Sequence, residues 1–184
     1  MTNLNELLNK IHDISVKSGW RNQQKSYEHY AALVLTEIAE AINADRNSKY
    51  AHIKEFEWIL TYNIIELHLQ GEDYIKEYMH NFKTYMKDTY EDELGDICIR
   101  LLDIADYFSL NVYHDDSVEL KGNTLTEKMF YIIKDFIKVN SENSVNICLN
   151  KIFKLFNNYE TLYKIISYKI EYNNYNAKLN NKKY

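Results

Sequence analysis

The chain has 184 residues, of which 46% are apolar, so it is long enough for one domain with a buried core and is not compositionally disordered. It contains no proline and only four glycines, which disfavours a sheet protein because the turns between strands consume both residue types. The formal net charge of −5 predicts no broad basic surface, so nucleic acid is not an expected partner.

Apolar residues recur at helical spacing along most of the chain, which predicts helices joined by polar connections. The predicted helices cover residues 4–18, 27–45, 53–70, 73–87, 90–110, 124–139, 144–156 and 158–175. Residues 111–123 are predicted to form a loop, and Thr124 and Glu127 after it have the spacing of a capping box. These elements predict an all-α fold, an antiparallel helical bundle formed by a single domain over residues 1–184.

The N-terminal residues 1–4 contain no apolar signal core, and no apolar run approaches the length of a membrane span. Cys98 and Cys148 lie far apart in apolar helical segments, which favours packed thiols over a disulfide or a metal-binding pair. We therefore expect a cytoplasmic protein with no membrane partner.

Two pairs of carboxylates are the most informative feature of the sequence. Glu37 and Glu40 lie on the second predicted helix, and Glu93 and Asp96 lie on the fifth. The acids of each pair are three residues apart, so they share one helix face and repel each other unless a cation compensates them. Mg²⁺ is a hard cation that prefers oxygen ligands and binds phosphates. The four acids therefore predict a Mg²⁺ site between two facing helices, which Mn²⁺ could also occupy.

A solvated helix face is the alternative interpretation of the first pair, because charged residues at this spacing usually face water. However, the only polar residues between positions 31 and 42 are Thr36, Glu37 and Glu40. A helix this apolar is expected to be mostly buried, so its two acids need a compensating charge or a function.

The later helix has two features that allow more than one interpretation. Gly95 inside it costs about 1 kcal/mol relative to alanine, which suggests either close helix packing or room for a ligand. Arg100 can pair with Asp96 or with Asp103, and such a pair would give these acids a purely structural role.

The motifs Glu37-Ile38-Ala39-Glu40 and Glu93-Leu94-Gly95-Asp96 resemble the signature of the MazG-like all-α nucleoside triphosphate pyrophosphohydrolases. The matching segments are the first motif helix at residues 33–41, the second at 92–97 and 101–105, the turn after it at 111–112, the approach to it at 87–91, and the C-terminal ending at 169–173 and 182–184. The approach and the ending are similar to those of phage-type MazG-like proteins.

The resemblance implies hydrolysis of a (d)NTP to a (d)NMP and pyrophosphate. Glu37, Glu40, Glu93 and Asp96 would hold Mg²⁺, and either Glu37 or Glu40 would orient or deprotonate the attacking water. The candidate substrate-binding residues are Trp20, Lys54, Arg100, Lys169, Tyr172, Asn173 and Lys182. Trp20 could stack on a base or could cap the end of the bundle.

The resemblance also implies a homodimer or a higher homo-oligomer. Residues 46–89 are expected to be a helical insertion between the two motifs, and residues 176–184 a polar tail that helps to bind phosphates or frays as a passive end. Two alternative functions remain open at this stage. One is a narrower dUTPase-like nucleotidase, and the other is a non-catalytic helical protein that binds a nucleotide or another partner.

Overall fold

In the computed structural model, residues 4–17, 25–138, 142–156 and 159–180 are described, and the helices among them confirm the all-α prediction. The helices are α1 (Leu4–Lys17), α2 (Tyr27–Arg46), α3 (Ile53–Ile65), α4 (Gly71–Tyr85), α5 (Tyr90–Tyr107), α6 (Leu125–Lys138), α7 (Glu142–Leu155) and α8 (Tyr159–Asn180). None of them combines the length and the apolar character that crossing a bilayer requires.

The capping box ahead of α6 is confirmed. The Glu127 backbone N–H donates to Thr124 Oγ1 at 3.2 Å, and the Thr124 N–H donates to Glu127 Oε2 at 3.1 Å. The two residues thus satisfy each other's backbone donors at the helix start.

Two predicted helix ends are wrong by five residues, and the fifth predicted helix ends at Tyr107 rather than at residue 110. The third helix was predicted to reach residue 70 but ends at Ile65, because the chain turns back there: the Leu69 N–H donates to Asn63 O at 3.1 Å and His68 has a φ of 50°. Helix α8 continues to Asn180, so residues 176–180 of the predicted polar tail are helical. Residues 181–184 lie outside the described residues.

Helix α5 occupies the centre of the fold, where it packs against α1, α2, α7 and α8. A Cβ built on Gly95 would lie 3.3 Å from Ile165 Cγ2 of α8, which is tighter than an ordinary contact. Of the two interpretations of this glycine, close helix packing is therefore confirmed. Cys98 and Cys148 are buried, free thiols, as expected.

The segment predicted to be a helical insertion is indeed helical and contributes a second apolar cluster. Helices α3 and α4 pack on each other, and α4 packs on α8. Phe56 contacts Tyr78 and Phe82, and Phe82 stacks on Tyr172 of α8 with ring centroids 4.4 Å apart. This aromatic cluster packs α4 against α8. The assignment of residues 46–89 as an insertion stays a prediction.

Candidate functional site

The four predicted acids come from the two helices that pack most extensively on each other, α2 and α5. Each helix begins with a hydroxyl cap: Ser26 Oγ accepts from the His29 N–H, and Thr89 Oγ1 accepts from the Asp92 N–H, both at 3.3 Å. Such caps define where the helix starts and therefore which residues face the neighbouring helix. The cap at Thr89 places Glu93 in the first turn of α5.

Three of the four predicted acids meet between these helices. Glu37, Glu93 and Asp96 offer carboxylate oxygens that lie within 4.8 Å of one another. Glu37 and Glu93 are only 8% and 6% exposed, so a solvated helix face does not describe them. Glu40 is exposed and lines a cavity beside this cluster. The first carboxylate pair is thus divided between a buried member and a solvent-facing member.

Arg100 forms an ion pair with Glu37 of α2. Its Nε donates to Glu37 Oε1 at 3.0 Å, which links α5 to α2. The sequence had suggested Asp96 or Asp103 as its partner, both on its own helix. In the structure Asp96 contacts Lys169, and Asp103 Oδ1 accepts a hydrogen bond from Ser15 Oγ at 2.7 Å. Arg100 therefore compensates an acid across the helix interface.

Lys169 of α8 is the second cation of the cluster. Its Nζ donates to both oxygens of Asp92 at 2.8 Å and lies 2.7 Å from Asp96 Oδ2. Asp92 is completely buried, and Lys169 is 7% exposed. Burial lowers the pKa of Lys169, but the carboxylates of Asp96 and Asp92 outweigh it and raise that pKa above its ordinary value. Lys169 is accordingly a buried, charged side chain that ties α8 to α5.

Burial and mutual repulsion raise the pKa values of the clustered acids. The pKa of Glu93 rises to about 8, because it is desolvated and lies near Asp92 and Asp96. The pKa of Asp92 rises to about 6, mainly through burial, although Lys169 opposes this. Burial and the charge of Asp96 also raise the pKa of Glu37. The carboxylates therefore outweigh the positive charge that the chain provides for them.

A divalent cation fits this donor set. Glu37, Glu93 and Asp96 supply hard oxygen ligands close to one another, the type that Mg²⁺ and Mn²⁺ bind. A dication would also offset the repulsion that raises the pKa of Glu93. A second group, formed by Asp88, Asp92 and Glu93, is equally close and shares Glu93 with the first. Either group could hold a metal ion.

A cavity of about 390 Å³ opens beside the acids, between α1, α5 and α8. Its lining residues are Ile11, Ile14, Ser15, Glu40, Lys87, Asp88, Glu93, Asp96, Ile99, Arg100, Asp103, Lys169, Ile170, Tyr172, Asn173, Asn176 and Ala177. This volume is within the range of small-molecule sites. The cavity is charged beside the acids and more apolar where the isoleucines of α1, α5 and α8 line it.

The predicted substrate-binding residues fall into three groups. Arg100, Lys169, Tyr172 and Asn173 line the cavity. Lys54 is exposed on α3 and does not line it. Trp20 and Lys182 lie outside the described residues. The structure thus brings four of the seven candidates to one cavity.

Sequence reasoning missed Asp92, the most deeply buried acid of the cluster, and the pair formed by Ser15 and Asp103. Asp92 lies in the first turn of α5, where an acid usually favours the helix dipole. An acid at this position is common in helices, so nothing local indicated that Asp92 contacts Lys169, 77 residues further along the chain. The i, i+4 spacing of Asp92 and Asp96 was the one available signal that both acids face the same neighbouring helix.

The raised pKa values predict how the stability of the metal-free protein depends on pH. A carboxyl whose pKa is raised by folding contributes stability at low pH, and that contribution is lost as the pH rises towards its folded-state pKa. With values of about 6 for Asp92 and about 8 for Glu93, the melting temperature in chelator should fall by several degrees between pH 5 and pH 8.

The measurement is thermal unfolding in EDTA over this pH range, with Glu93→Gln as the comparison. The variant has no carboxyl at this position to ionise, so its melting temperature should fall less than that of the wild type. Saturating Mg²⁺ should also reduce the fall, because the metal binds the deprotonated form. A wild-type melting temperature that rises from pH 5 to pH 8 would contradict the argument.

Comparisons of this chain with protein families, with curated proteins and with solved structures find no match.

Proposed function

We propose that the chain is a Mg²⁺-dependent nucleoside triphosphate pyrophosphohydrolase, which converts a (d)NTP to a (d)NMP and pyrophosphate. The observation that carries the proposal is the meeting of Glu37, Glu93 and Asp96 beside a cavity that Glu93 and Asp96 line. Lys169 and Arg100 line the same cavity. A site with carboxylates for a metal and cations for phosphates suits a metal-bound triphosphate.

Glu37, Glu93 and Asp96 would hold the Mg²⁺, and the same site would also accept Mn²⁺. When bound, this ion neutralises phosphate charge and makes a coordinated water more acidic. Glu40 is exposed at the cavity and is not one of the three closely spaced acids. We therefore assign to Glu40 the role of orienting the attacking water and accepting its proton.

The rest of the cavity would hold the nucleoside. Ile14, Ile99 and Ile170 offer apolar surface to a base, and Asp103 and Asn173 offer hydrogen-bonding groups. Asp103 is seven positions after Asp96 on α5, which places the two about 10 Å apart along the helix axis. This separation is comparable with the span of a nucleotide between its phosphates and its base.

A panel of the eight common (d)NTPs with pyrophosphate detection tests the proposal. We expect Mg²⁺-dependent release of pyrophosphate from one or more of them and no release in EDTA. Release of orthophosphate alone, or of no product from any nucleotide, would contradict the proposal. Turnover of dUTP alone would identify a dUTPase-like enzyme. A homodimer stays a prediction, which light scattering on the purified protein tests.

A non-catalytic nucleotide-binding protein is the second candidate, and one observation favours it. Lys169 and Arg100 already pair with Asp92, Asp96 and Glu37, so the fold provides the cluster with counter-charges of its own. This candidate predicts that nucleotides and Mg²⁺ raise the melting temperature while no nucleotide in the panel releases pyrophosphate.

A further inference from the structure

Lys169 lies inside the acidic cluster, in contact with the groups that would bind a metal. Its ammonium contacts both oxygens of Asp92 at 2.8 Å and Asp96 Oδ2 at 2.7 Å. The Phe82 ring closes another side, with its centroid 5.8 Å from Nζ. Three carboxylate oxygens around one buried cation resemble part of a coordination shell, with the ammonium in place of a metal.

Asp96 is the residue that the ammonium and a metal ion would share. Its carboxylate belongs to the closely spaced group with Glu37 and Glu93, and the same carboxylate contacts Lys169. An ammonium and a divalent cation on one carboxylate repel each other, and the repulsion is strong where little water screens it. The ammonium and the metal ion therefore weaken each other's binding to Asp96.

Asp92 offers Lys169 a position to which it can withdraw. It is fully buried, contacts the ammonium through both oxygens, and lies outside the group of Glu37, Glu93 and Asp96. Lys169 also lines the cavity. A small movement of the side chain could therefore break the contact with Asp96 and keep the contact with Asp92.

We propose that Lys169 is a built-in counter-cation that competes with the divalent metal for Asp96. In the metal-free protein it neutralises Asp92 and Asp96 and holds α8 against α5. When the metal binds, Lys169 gives up Asp96, keeps Asp92 and presents its ammonium to the cavity. The inference rests on the metal site of the proposed function. It adds that the Lys169 ammonium occupies one ligand of this site, Asp96, when no metal is bound.

Replacing Lys169 with methionine tests the competition. Methionine is unbranched and apolar, so it fills much of the same space without the charge. In chelator, Lys169→Met should melt several degrees below the wild type, because Asp92 loses its buried partner. Mn²⁺ should nevertheless bind the variant about tenfold more tightly than the wild type, because the competing charge is gone. Calorimetric titration of Mn²⁺ into metal-free protein measures this affinity.

Lys164→Met is the matched control. Lys164 lies on the same helix, is exposed, pairs with Glu57 and does not line the cavity. Its Mn²⁺ affinity should equal that of the wild type. Lys169→Arg, which keeps the charge, should not gain Mn²⁺ affinity. An affinity that is unchanged or weaker in Lys169→Met would overturn the proposal and leave Lys169 with a structural role only.

A measurement on the wild type covers the case in which Lys169→Met does not fold without metal. Acylation of lysines with acetic anhydride, followed by mass spectrometry, reports the access to each ammonium. Lys169 should react faster in saturating Mg²⁺ than in chelator, and Lys164 should react equally in both. Equal protection of Lys169 under the two conditions would overturn the proposal.

The outcomes separate this inference from the proposed function. If the wild type binds no Mn²⁺, the proposed metal site and the proposed competition by Lys169 are both contradicted. If the wild type and Lys169→Met bind Mn²⁺ equally, only the competition fails. If Lys169→Met binds more tightly but no nucleotide releases pyrophosphate, the competition holds and the enzymatic proposal fails.

Discussion

Glutamine in place of Glu93 is expected to reduce pyrophosphate release by about 100-fold or more, the usual effect of losing a metal ligand or catalytic group. The same change should stabilise the metal-free protein. Glu93 has a pKa of about 8, because it is buried beside Asp92 and Asp96, so its ionised form destabilises the fold. Each pKa unit corresponds to about 1.4 kcal/mol, and glutamine keeps the shape without the charge.

Three measurements on Glu93→Gln check this prediction. They are pyrophosphate release with Mg²⁺, the melting temperature in EDTA, and the increase in melting temperature that Mg²⁺ causes. Activity should fall, the melting temperature in EDTA should rise, and the Mg²⁺-dependent increase should shrink. Glu119→Gln, an exposed acid in the loop after α5, should behave as the wild type. If Glu93→Gln kept activity within about threefold of the wild type, Glu93 would have no part in metal binding or catalysis.

Glutamine in place of Glu40 is expected to reduce kcat by about 10² to 10⁴-fold, the range for loss of a general base. Unlike Glu93→Gln, it should leave the melting temperature in EDTA nearly unchanged, because Glu40 is exposed. The Mg²⁺-dependent increase should also persist, since Glu37, Glu93 and Asp96 remain to hold the metal. This combination of results is expected of a group that acts on the attacking water.

Glu28→Gln is the control for this variant, because Glu28 is an exposed acid on the same helix, α2, and does not line the cavity. Its kinetics should match those of the wild type. A loss of the Mg²⁺-dependent stabilisation in Glu40→Gln would instead assign Glu40 to the metal ligands, as the family resemblance implies. Kinetics unchanged by Glu40→Gln would rule out both roles.

The two variants distinguish the function of Glu93 from that of Glu40. Glu93→Gln changes activity, metal binding and metal-free stability, whereas Glu40→Gln changes activity alone. The contrast follows from burial: Glu93 is 6% exposed and surrounded by other acids, and Glu40 faces solvent at the cavity. A purely structural role for the cluster would instead leave pyrophosphate release absent in the wild type and both variants.

The sequence by itself determined the all-α class, most helix bounds, the capping box at Thr124 and the spacing that brings acids to one face of α2 and of α5. These features depend on residues no more than a few positions apart, because helical periodicity and caps are local. The same reasoning extended the third predicted helix beyond Ile65, since Leu67 continues the apolar pattern. Leu67 is 50% exposed, so here the pattern did not mark a buried face.

Only the tertiary structure decided which charges compensate each other. Arg100 bonds to Glu37, 63 positions away, and Lys169 bonds to Asp92, 77 positions away. Such pairs depend on how α2, α5 and α8 are rotated and placed against one another, and no local spacing reports that placement. The same packing made Asp92 an acid of the site, buried Glu37 and left Glu40 exposed, because the burial of a side chain is decided by the helices around it.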